Sequence, residues 1–293
     1  MLLQTEQLTK NYGRFRALDN LNLQVAPGEI FGLLGPNGSG KSTAIRLMLG
    51  FLRPTSGRAL IDGFDCWHQG YRARAQVSYL PGELRLYENM TGRQLVRFLS
   101  GLRGRPHFPD LDKLAATFDI DISRPIAQLS SGMKRKVALL QVLLPRTPLL
   151  ILDEPTNTLD PTMRDVLLDQ LAKARQEGQA VLFSSHVLAE VERVCDRVGI
   201  LKQGHLATVQ QMSELREVRR IQATFAEGSA DLTGPPDLPG IKECRVERNR
   251  LSCEYDGPLP PLLGWLANHQ VTDVHIEPLG LGGIYRQLHG TDA

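Results

Sequence analysis

A short glycine-rich segment has the residue types and spacing of a phosphate-binding loop. It fits the pattern G-x-x-x-x-G-K-S/T and consists of Gly35, Pro36, Asn37, Gly38, Ser39, Gly40, Lys41, Ser42 and Thr43. Glycines let consecutive backbone N–H groups converge on a phosphate, and a following helix adds partial positive charge at its N-terminus. We expect Lys41 to neutralise the β- and γ-phosphates and the Ser42 hydroxyl to bind Mg²⁺. The segment predicts a nucleoside triphosphate site.

The residues on either side of this loop predict the elements that position it. The apolar run Ile30–Leu34 precedes the loop and predicts a buried strand. Apolar residues with the i, i+3, i+4, i+7 spacing of a helix follow it, at Ile45, Met48, Leu49 and Leu52. A glycine-rich turn without a ligand could precede a helix by chance. Strand, loop and helix in this order, with Lys41 and Ser42 in place, favour the phosphate site.

Two carboxylates follow a second apolar run. Leu149–Leu152 are four consecutive apolar residues, which is typical of a parallel strand covered on both faces. Asp153 and Glu154 come next, at the strand end where ligands gather in doubly wound sheets. Asp153 there can hold Mg²⁺ through water, and Glu154 can polarise an attacking water. Paired carboxylates are also common turn residues, but beside a phosphate loop they indicate triphosphate hydrolysis.

The composition is that of a soluble globular protein. The 293 residues are 42% hydrophobic and 23% charged, with a net charge of only +2. This charge argues against a surface that coats nucleic acid. The sequence contains no apolar stretch of the ~18–20 residues that a membrane span needs. Only Met1–Leu3 precede Gln4, so we expect no signal peptide.

The cysteines indicate a reducing environment. The four cysteines, Cys66, Cys195, Cys244 and Cys253, have no C-x-x-C spacing. Cys244 and Cys253 lie on strands that we predict to face each other, so the two thiols could approach. Reduced thiols are the expectation for a chain without a secretion signal. The cysteines and the composition together predict a cytosolic protein.

Three further motifs carry a resemblance to a known family. They are the segment Leu129–Met133, which reads Leu-Ser-Ser-Gly-Met, the pair Leu159-Asp160, and His186 beyond the apolar run Ala180–Phe183. In this order and spacing, together with the phosphate loop and the paired carboxylates, the motifs resemble those of ABC-type ATPases. These are the nucleotide-binding subunits of ATP-binding cassette transporters. The resemblance covers roughly residues 2–215.

The resemblance implies an α/β fold and a domain organisation. The fold is a P-loop NTPase cassette of the ABC type, with a RecA-like core, an antiparallel β subdomain and a helical subdomain. We place the nucleotide-binding domain at residues 1–217 and the helical subdomain at residues 84–128. In the family the groove of that subdomain receives a coupling helix of the membrane subunit, and Leu86, Tyr87 and Met90 are the candidate groove residues.

We call Leu129–Met133 the signature segment. In the family this segment meets the γ-phosphate that is bound by the opposite subunit, so two chains sandwich two ATP molecules head to tail. The resemblance therefore gives Ser130 and Gly132 this role, at the start of a helix. The family pattern is Leu-Ser-Gly-Gly-Gln, and the form with Gly-Met-Lys is associated with export-type ATPases. A helix-capping serine without a ligand is the alternative for Ser130.

Three more residues receive roles from the resemblance. Asp160 is expected at the dimer contact, although an Asp before Pro161 is also a good helix start. His186 is expected to hydrogen-bond the γ-phosphate and to orient the water. Tyr12 is similar in position to the adenine-stacking aromatic residue of the family, but tyrosine is also an ordinary strand residue.

One residue of the family pattern is missing. After the strand Tyr79-Leu80-Pro81, relatives carry a glutamine that touches Mg²⁺ and relays the nucleotide state to the partner. This sequence has Gly82 at that position and Glu83 beside it. Gly82 has no side chain for this role, and a carboxylate such as Glu83 could act near a triphosphate only with the metal between them.

The composition changes after about residue 217, and we predict a small α+β domain at residues 218–293. It carries no obvious chemistry. Alternating residues predict four strands, with a tight turn at Asn249-Arg250 between the second and third. The predicted strands are Ile221–Phe225, Glu243–Glu247, Leu251–Tyr255 and Val274–Glu277, and the predicted helices are Pro260–His269 and Ile284–Leu288.

The family resemblance implies an ATP hydrolase that uses Mg²⁺ and energises export of a drug, antibiotic, lipid or similar substrate. Its catalytic residues would be Glu154, His186 and Lys41. Its partners would be a second copy or a homologous ATPase subunit and a membrane-spanning permease, on the inner face of the cytoplasmic membrane, with no nucleic acid. One alternative is a soluble ABC ATPase acting on ribosomes or DNA, which usually has two cassettes or a coiled-coil insertion. A catalytically weak regulatory cassette is the other, and Gly82 leaves it open.

Overall fold

The structure, a computed structural model, describes residues 1–104, 108–226 and 238–289. The predicted helical subdomain and the predicted C-terminal domain each include some residues outside these ranges. The chain divides into two compact units, Met1–Val209 and Gln210–Ala293. The boundary predicted from the sequence, after residue 217, lies eight residues later.

The first unit contains ten strands and seven helices among the described residues. The strands are β1 (Leu3–Tyr12), β2 (Phe15–Val25), β3 (Ile30–Leu34), β4 (Ser56–Ile61), β5 (Phe64–Asp65), β6 (Val77–Leu80), β7 (Leu149–Asp153), β8 (Ala180–Ser185), β9 (Arg197–Lys202) and β10 (His205–Gln211). The helices are α1 (Lys41–Met48), α2 (Gly70–Ala75), α3 (Gly92–Leu102), α4 (Leu111–Thr117), α5 (Ser131–Leu143), α6 (Pro161–Gln176) and α7 (Leu188–Val194).

A six-stranded sheet in the order β10-β9-β3-β8-β7-β6 forms the centre of this unit. Strands β3, β7 and β8 are buried at every residue, which explains their continuous apolar runs. β3 pairs in parallel with β8, and β8 in parallel with β7. Their carboxyl ends therefore share one edge of the sheet. That edge brings together the phosphate loop, Asp153 and Glu154 at the end of β7, and His186 after β8.

A second sheet, antiparallel and in the order β2-β1-β4-β5, covers this centre. One apolar core joins the two sheets and α1, with side chains such as Leu8, Leu33, Ile45 and Leu182. The predicted α/β cassette with parallel and antiparallel sheets is confirmed. Among the described residues, no helix has the length and apolar character that crossing a membrane requires.

Two predicted helices form in the region between the sheet strands β6 and β7. α3 begins at a capping box, in which the Thr91 hydroxyl accepts from the Gln94 N–H and the Gln94 side chain accepts from the Thr91 N–H. α4 follows within the same predicted helical subdomain. The helix prediction after the phosphate loop was too long, because α1 ends at Met48 and Leu52 lies beyond it.

The second unit contains a four-stranded antiparallel sheet in the order β12-β13-β11-β14. Helix α8 belongs to this unit and packs against β14 and α10. Apolar side chains such as Phe225, Tyr255 and Leu262 form its core. The elements are α8 (Met212–Glu217), β11 (Arg219–Phe225), β12 (Ile241–Glu247), β13 (Arg250–Tyr255), α9 (Leu259–Ala267), β14 (Val271–Pro278) and α10 (Gly280–His289).

Two details of this unit bear on the sequence predictions. The tight turn lies at Arg248-Asn249, one residue earlier than predicted, because Arg250 already pairs with Glu247 and Arg248 takes a positive φ of 54°. Cys244 and Cys253 lie opposite each other on paired strands, and both are free thiols. Burial raises the pKa of the Cys253 thiol to about 12.

Candidate active site

The phosphate loop lies between β3 and α1, as predicted, and its shape requires glycine at two positions. A Cβ at position 35 would lie 2.5 Å from both the Leu201 carbonyl and the Ser39 hydroxyl. Gly40 precedes the first helical residue with φ of 109°, a conformation that side chains disfavour. The backbone therefore turns tightly into the helix N-terminus, which favours anion binding.

Lys41 occupies the inside of this loop. Its side chain is buried, and its ammonium donates to the Gly35 carbonyl at 2.6 Å and the Pro36 carbonyl at 3.2 Å. Burial lowers the pKa of Lys41, while the Glu154 and Asp153 carboxylates act in the opposite direction. The loop thus contains a cation that can neutralise phosphate charge.

The hydroxyl groups of Ser39 and Ser42 are suited to a phosphorylated ligand and a metal, respectively. The Ser39 hydroxyl is buried and has no hydrogen-bond partner among the described residues. An unpartnered buried hydroxyl inside a phosphate loop fits a ligand oxygen. Ser42 is exposed at the first turn of α1. Its hydroxyl and the Asp153 carboxylate are oxygen donors of the kind that Mg²⁺ prefers.

The carboxylate of Asp153 is held by the neighbouring strand. Asp153 pairs with Ser184 across β7 and β8, and the Ser184 hydroxyl donates to Asp153 Oδ1 at 2.6 Å. The same hydroxyl accepts from the backbone N–H of Glu154 at 3.0 Å. Asp153 is only 5% exposed. One serine therefore orients the metal-ligand candidate and fixes the backbone of the next residue.

Glu154 lies between two groups that sequence analysis assigned to catalysis. Its Oε1 atom is 3.6 Å from Lys41 Nζ and 3.6 Å from His186 Nδ1. Its Oε2 atom accepts from the Asn157 amide at 2.6 Å. Burial alone would raise the pKa of Glu154, but the Asn157 hydrogen bond, the Lys41 charge and the neighbouring His186 ring bring it below its ordinary value. Glu154 is therefore an ionised carboxylate held from both sides.

The signature segment begins a helix in the way the sequence predicted. Ser130 precedes α5, is exposed, and accepts from the Met133 N–H at 3.3 Å. A Cβ at Gly132 would lie 2.7 Å from the Thr158 carbonyl, so only glycine fits there. Within the described residues, no hydrogen bond or ion pair joins Ser130 or Gly132 to the phosphate loop.

Asp160 and Tyr12 also lie apart from the phosphate loop contacts. Asp160 caps α6, accepting from the Met163 N–H at 2.9 Å, with Pro161 as the first helical residue. This is the local role that the sequence allowed. Tyr12 ends β1 with its side chain half exposed, and the Lys10 ammonium lies 5.2 Å from its ring centre. An exposed ring is available for stacking, and its contact with adenine stays a prediction.

The glycine at the expected glutamine position faces the metal-ligand candidate. A Cβ at Gly82 would lie 3.5 Å from Asp153 Oδ2. A side chain at this position would therefore reach the carboxylate. Glu83 is exposed, and no contact among the described residues joins it to Asp153.

Four residues of this site are not apparent from the sequence. Ser184 and Asn157 hold Asp153 and Glu154, as described above. Glu190 is buried, and its Oε2 atom accepts from the hydroxyls of Thr156 and Ser185, each at 2.9 Å. The fourth is Arg135, a buried guanidinium on α5. A charged residue on the apolar face of a predicted helix was the only signal that could have revealed Arg135.

The fold and the site together define a P-loop ATPase of the ABC class. A family model for ABC transporters matches residues 18–157. The chain is 34% identical over 230 residues to the bacitracin transport ATP-binding protein BcrA of Enterococcus faecalis, covering 76% of this chain and 74% of that protein. The chain therefore belongs to the family of ABC transporter ATP-binding proteins.

Two other comparisons extend this result. The chain is 38% identical over 210 residues to the probable multidrug ABC transporter ATP-binding protein YbhF of Escherichia coli (strain K12). That alignment covers 70% of this chain, which spans only 36% of the length of the E. coli protein. A solved ATP-binding subunit of an ABC transporter matches with a TM-score of 0.68 and 31% identity, over 74% of this chain and 92% of that one.

Proposed function

We propose that this chain hydrolyses ATP as the motor subunit of an ABC exporter. The observation that carries the proposal is the position of the Glu154 carboxylate, 3.6 Å from both Lys41 Nζ and His186 Nδ1. A carboxylate that is ionised and held on both sides can orient a water molecule for attack on a phosphate. Lys41 stabilises charge on the phosphates, and His186 is exposed enough to reach the terminal phosphate.

Mg²⁺ would be held by Ser42 and Asp153, where it would offset negative charge on the β- and γ-phosphates. Close packing around Gly35, where a Cβ would lie 2.5 Å from the Leu201 carbonyl, would hold the loop backbone in place for the phosphates. The loop and Lys41 would first bind the ATP phosphates, and Glu154 would then orient the attacking water. Tyr12 would stack on the adenine.

The active unit in this proposal is a head-to-tail dimer. Ser130 and Gly132 are at the start of a helix, and Ser130 is exposed. Backbone N–H groups at a helix start bind anions. A second copy, or a homologous subunit, would place the nucleotide bound in its own phosphate loop against this segment. Asp160 would lie near the contact.

The proposed membrane partner would bind the helical region. Tyr87 and Phe98 are both exposed and stack edge to face with ring centres 5.8 Å apart. Exposed neighbouring aromatic side chains are frequent at protein interfaces. A permease segment docked there would place the chain peripherally on the inner face of the cytoplasmic membrane. Names of the relatives, which include multidrug and bacitracin transport proteins, support export of an antibiotic-like substrate.

The first experiment measures ATP hydrolysis by the purified chain and by Glu154→Gln. We expect the variant to bind ATP, to lose hydrolysis, and to accumulate as a dimer in size-exclusion chromatography with ATP. The matched control is Glu177→Gln, which changes an exposed carboxylate at the end of α6. Hydrolysis by Glu154→Gln at the rate of the control would contradict the proposed role.

A second experiment separates export from the alternatives. Affinity capture of the tagged chain from cells should recover a multi-span membrane protein. Recovery with ribosomes would favour a non-transport ABC ATPase. Binding of ATP without measurable hydrolysis in the wild type would favour a regulatory cassette.

A further inference from the structure

Arg135 is a buried cation that the mechanism above does not use. Its side chain is only 3% exposed, on the face of α5 that is turned into the protein. A buried guanidinium is unfavourable unless its N–H groups are hydrogen-bonded. Here the donors reach three main-chain carbonyls, Pro81 at 2.9 Å, Gly82 at 2.8 Å and Asn157 at 3.3 Å.

These three carbonyls belong to the two turns that flank the catalytic carboxylates. Gly82 faces Asp153, since a Cβ at Gly82 would lie 3.5 Å from Asp153 Oδ2. Asn157 donates its side-chain amide to Glu154 at 2.6 Å. Arg135 thus fixes the backbone beside one carboxylate and the residue that holds the other.

The helix that carries Arg135 also carries the signature segment. Gly132 lies one turn before Arg135 and packs against the Thr158 carbonyl, where a Cβ would lie 2.7 Å away. α5 is therefore in contact with the turn after Glu154 at two points. Both contacts are with main-chain atoms of that turn, so a displacement of the start of α5 would act on its backbone directly.

The positive charge of Arg135 also interacts with the carboxylates of Asp153 and Glu154. Burial lowers the pKa of Arg135, and the Asp153 and Glu154 carboxylates act in the opposite direction. A guanidinium stays protonated in proteins and offers its donors in one rigid plane. Lysine has a point charge on a flexible stem and cannot reproduce three hydrogen bonds in that plane.

We propose that Arg135 is a positioning residue that connects the signature helix to the catalytic carboxylates of the same chain. The inference rests on the proposed ATP hydrolysis. A partner's nucleotide that contacts Ser130 and Gly132 would act on α5, and Arg135 would transmit the change to the turns at Gly82 and Asn157. The carbonyl of Gly82 makes this connection in a chain that lacks the family's glutamine side chain.

The test compares Arg135→Lys and Arg135→Met with Lys136→Gln. Lys136 is the next residue on α5, and its ammonium makes one long contact, 3.4 Å to the Asp119 carbonyl. We expect kcat for ATP hydrolysis to fall about 10- to 100-fold in both Arg135 variants, because a small displacement of catalytic groups has effects of that size. KM and the dissociation constant for ATP should change less than about threefold, because the phosphate loop is untouched. The control should keep the wild-type kcat.

Hydrogen exchange gives a readout that does not depend on turnover. Amides at residues 81–83 and 154–158 should exchange faster in Arg135→Met than in Lys136→Gln, while the core strands keep their protection. Unchanged exchange at these amides, or a wild-type kcat in Arg135→Lys, would overturn the inference. A parallel loss of ATP affinity and kcat, with faster exchange throughout the unit, would also overturn it. If Arg135→Met shows the expected exchange differences from Lys136→Gln but the wild type hydrolyses no ATP, only the proposed function would be refuted.

Discussion

Replacing Ser184 with alanine should separate the orientation of Asp153 from the rest of the site. Ser184 is fully buried on β8, and its hydroxyl bonds to the last residue of β7 and to the residue that follows it. It donates to Asp153 Oδ1 at 2.6 Å and accepts from the Glu154 N–H at 3.0 Å. Alanine leaves both groups without this partner, and the Asp153 carboxylate is buried.

The size of the effect follows from the two bonds. A hydrogen bond to a charged group contributes roughly 1.5–3 kcal/mol, and one between neutral groups about 1 kcal/mol. The free energy of unfolding of Ser184→Ala should therefore fall by about 2–4 kcal/mol. Loss of a partner that orients a metal ligand lowers metal affinity by about 10- to 100-fold. The Mg²⁺ concentration at half-maximal ATP hydrolysis should rise by the same factor.

The assay titrates Mg²⁺ at saturating ATP and follows urea unfolding without nucleotide. Ser78→Ala is the control, since Ser78 is buried on β6 and its hydroxyl makes one long contact, 3.3 Å to Arg103. The control should lose little stability and keep the wild-type Mg²⁺ dependence. A folded Ser184→Ala protein with an unchanged Mg²⁺ midpoint would refute the reasoning, because Ser184 would then be only a structural residue.

Two further predictions concern Glu154 and Gly132. The pKa of folded Glu154 lies below its ordinary value of 4.5, so its stabilising effect is present above about pH 4.5 and is lost as pH falls through the folded pKa. Urea unfolding should show a steeper loss of stability below that pH in the wild type than in Glu154→Gln. Gly132→Ala places a Cβ 2.7 Å from the Thr158 carbonyl and should destabilise the protein by about 1–3 kcal/mol. Gly101→Ala, where a Cβ meets nothing within 4 Å, should be neutral or stabilising in thermal unfolding.

Much of the fold could be predicted because its central strands are buried on both faces. Continuous apolar runs such as Ile30–Leu34 and Leu149–Leu152 mark those strands directly in the sequence. Polar residues at their carboxyl ends then had to share one edge of the sheet. The convergence of Lys41, Glu154 and His186 at that edge follows from the parallel pairing.

The residues that hold the site could not be predicted in the same way. Ser184 contacts Asp153 across 31 positions of sequence, and Arg135 contacts Pro81 across 54. A single polar residue on a strand or helix forms no sequence pattern from which such a long-range contact could be predicted. Only the register between β7 and β8 identifies Ser184, and only the packing of α5 identifies Arg135.

Position 82 combines two features: it lacks the glutamine side chain of the family pattern, and its main-chain carbonyl accepts a hydrogen bond from Arg135. The family pattern has a glutamine there. Glycine leaves that side of the Asp153 carboxylate without a neighbouring side chain, while its main-chain carbonyl accepts from the Arg135 guanidinium. Because Arg135 is on α5, its hydrogen bond to the Gly82 carbonyl links this turn to the helix that begins in the signature segment. Although position 82 has no glutamine side chain, its main chain still connects α5, through Arg135, to the turn beside the Asp153 carboxylate.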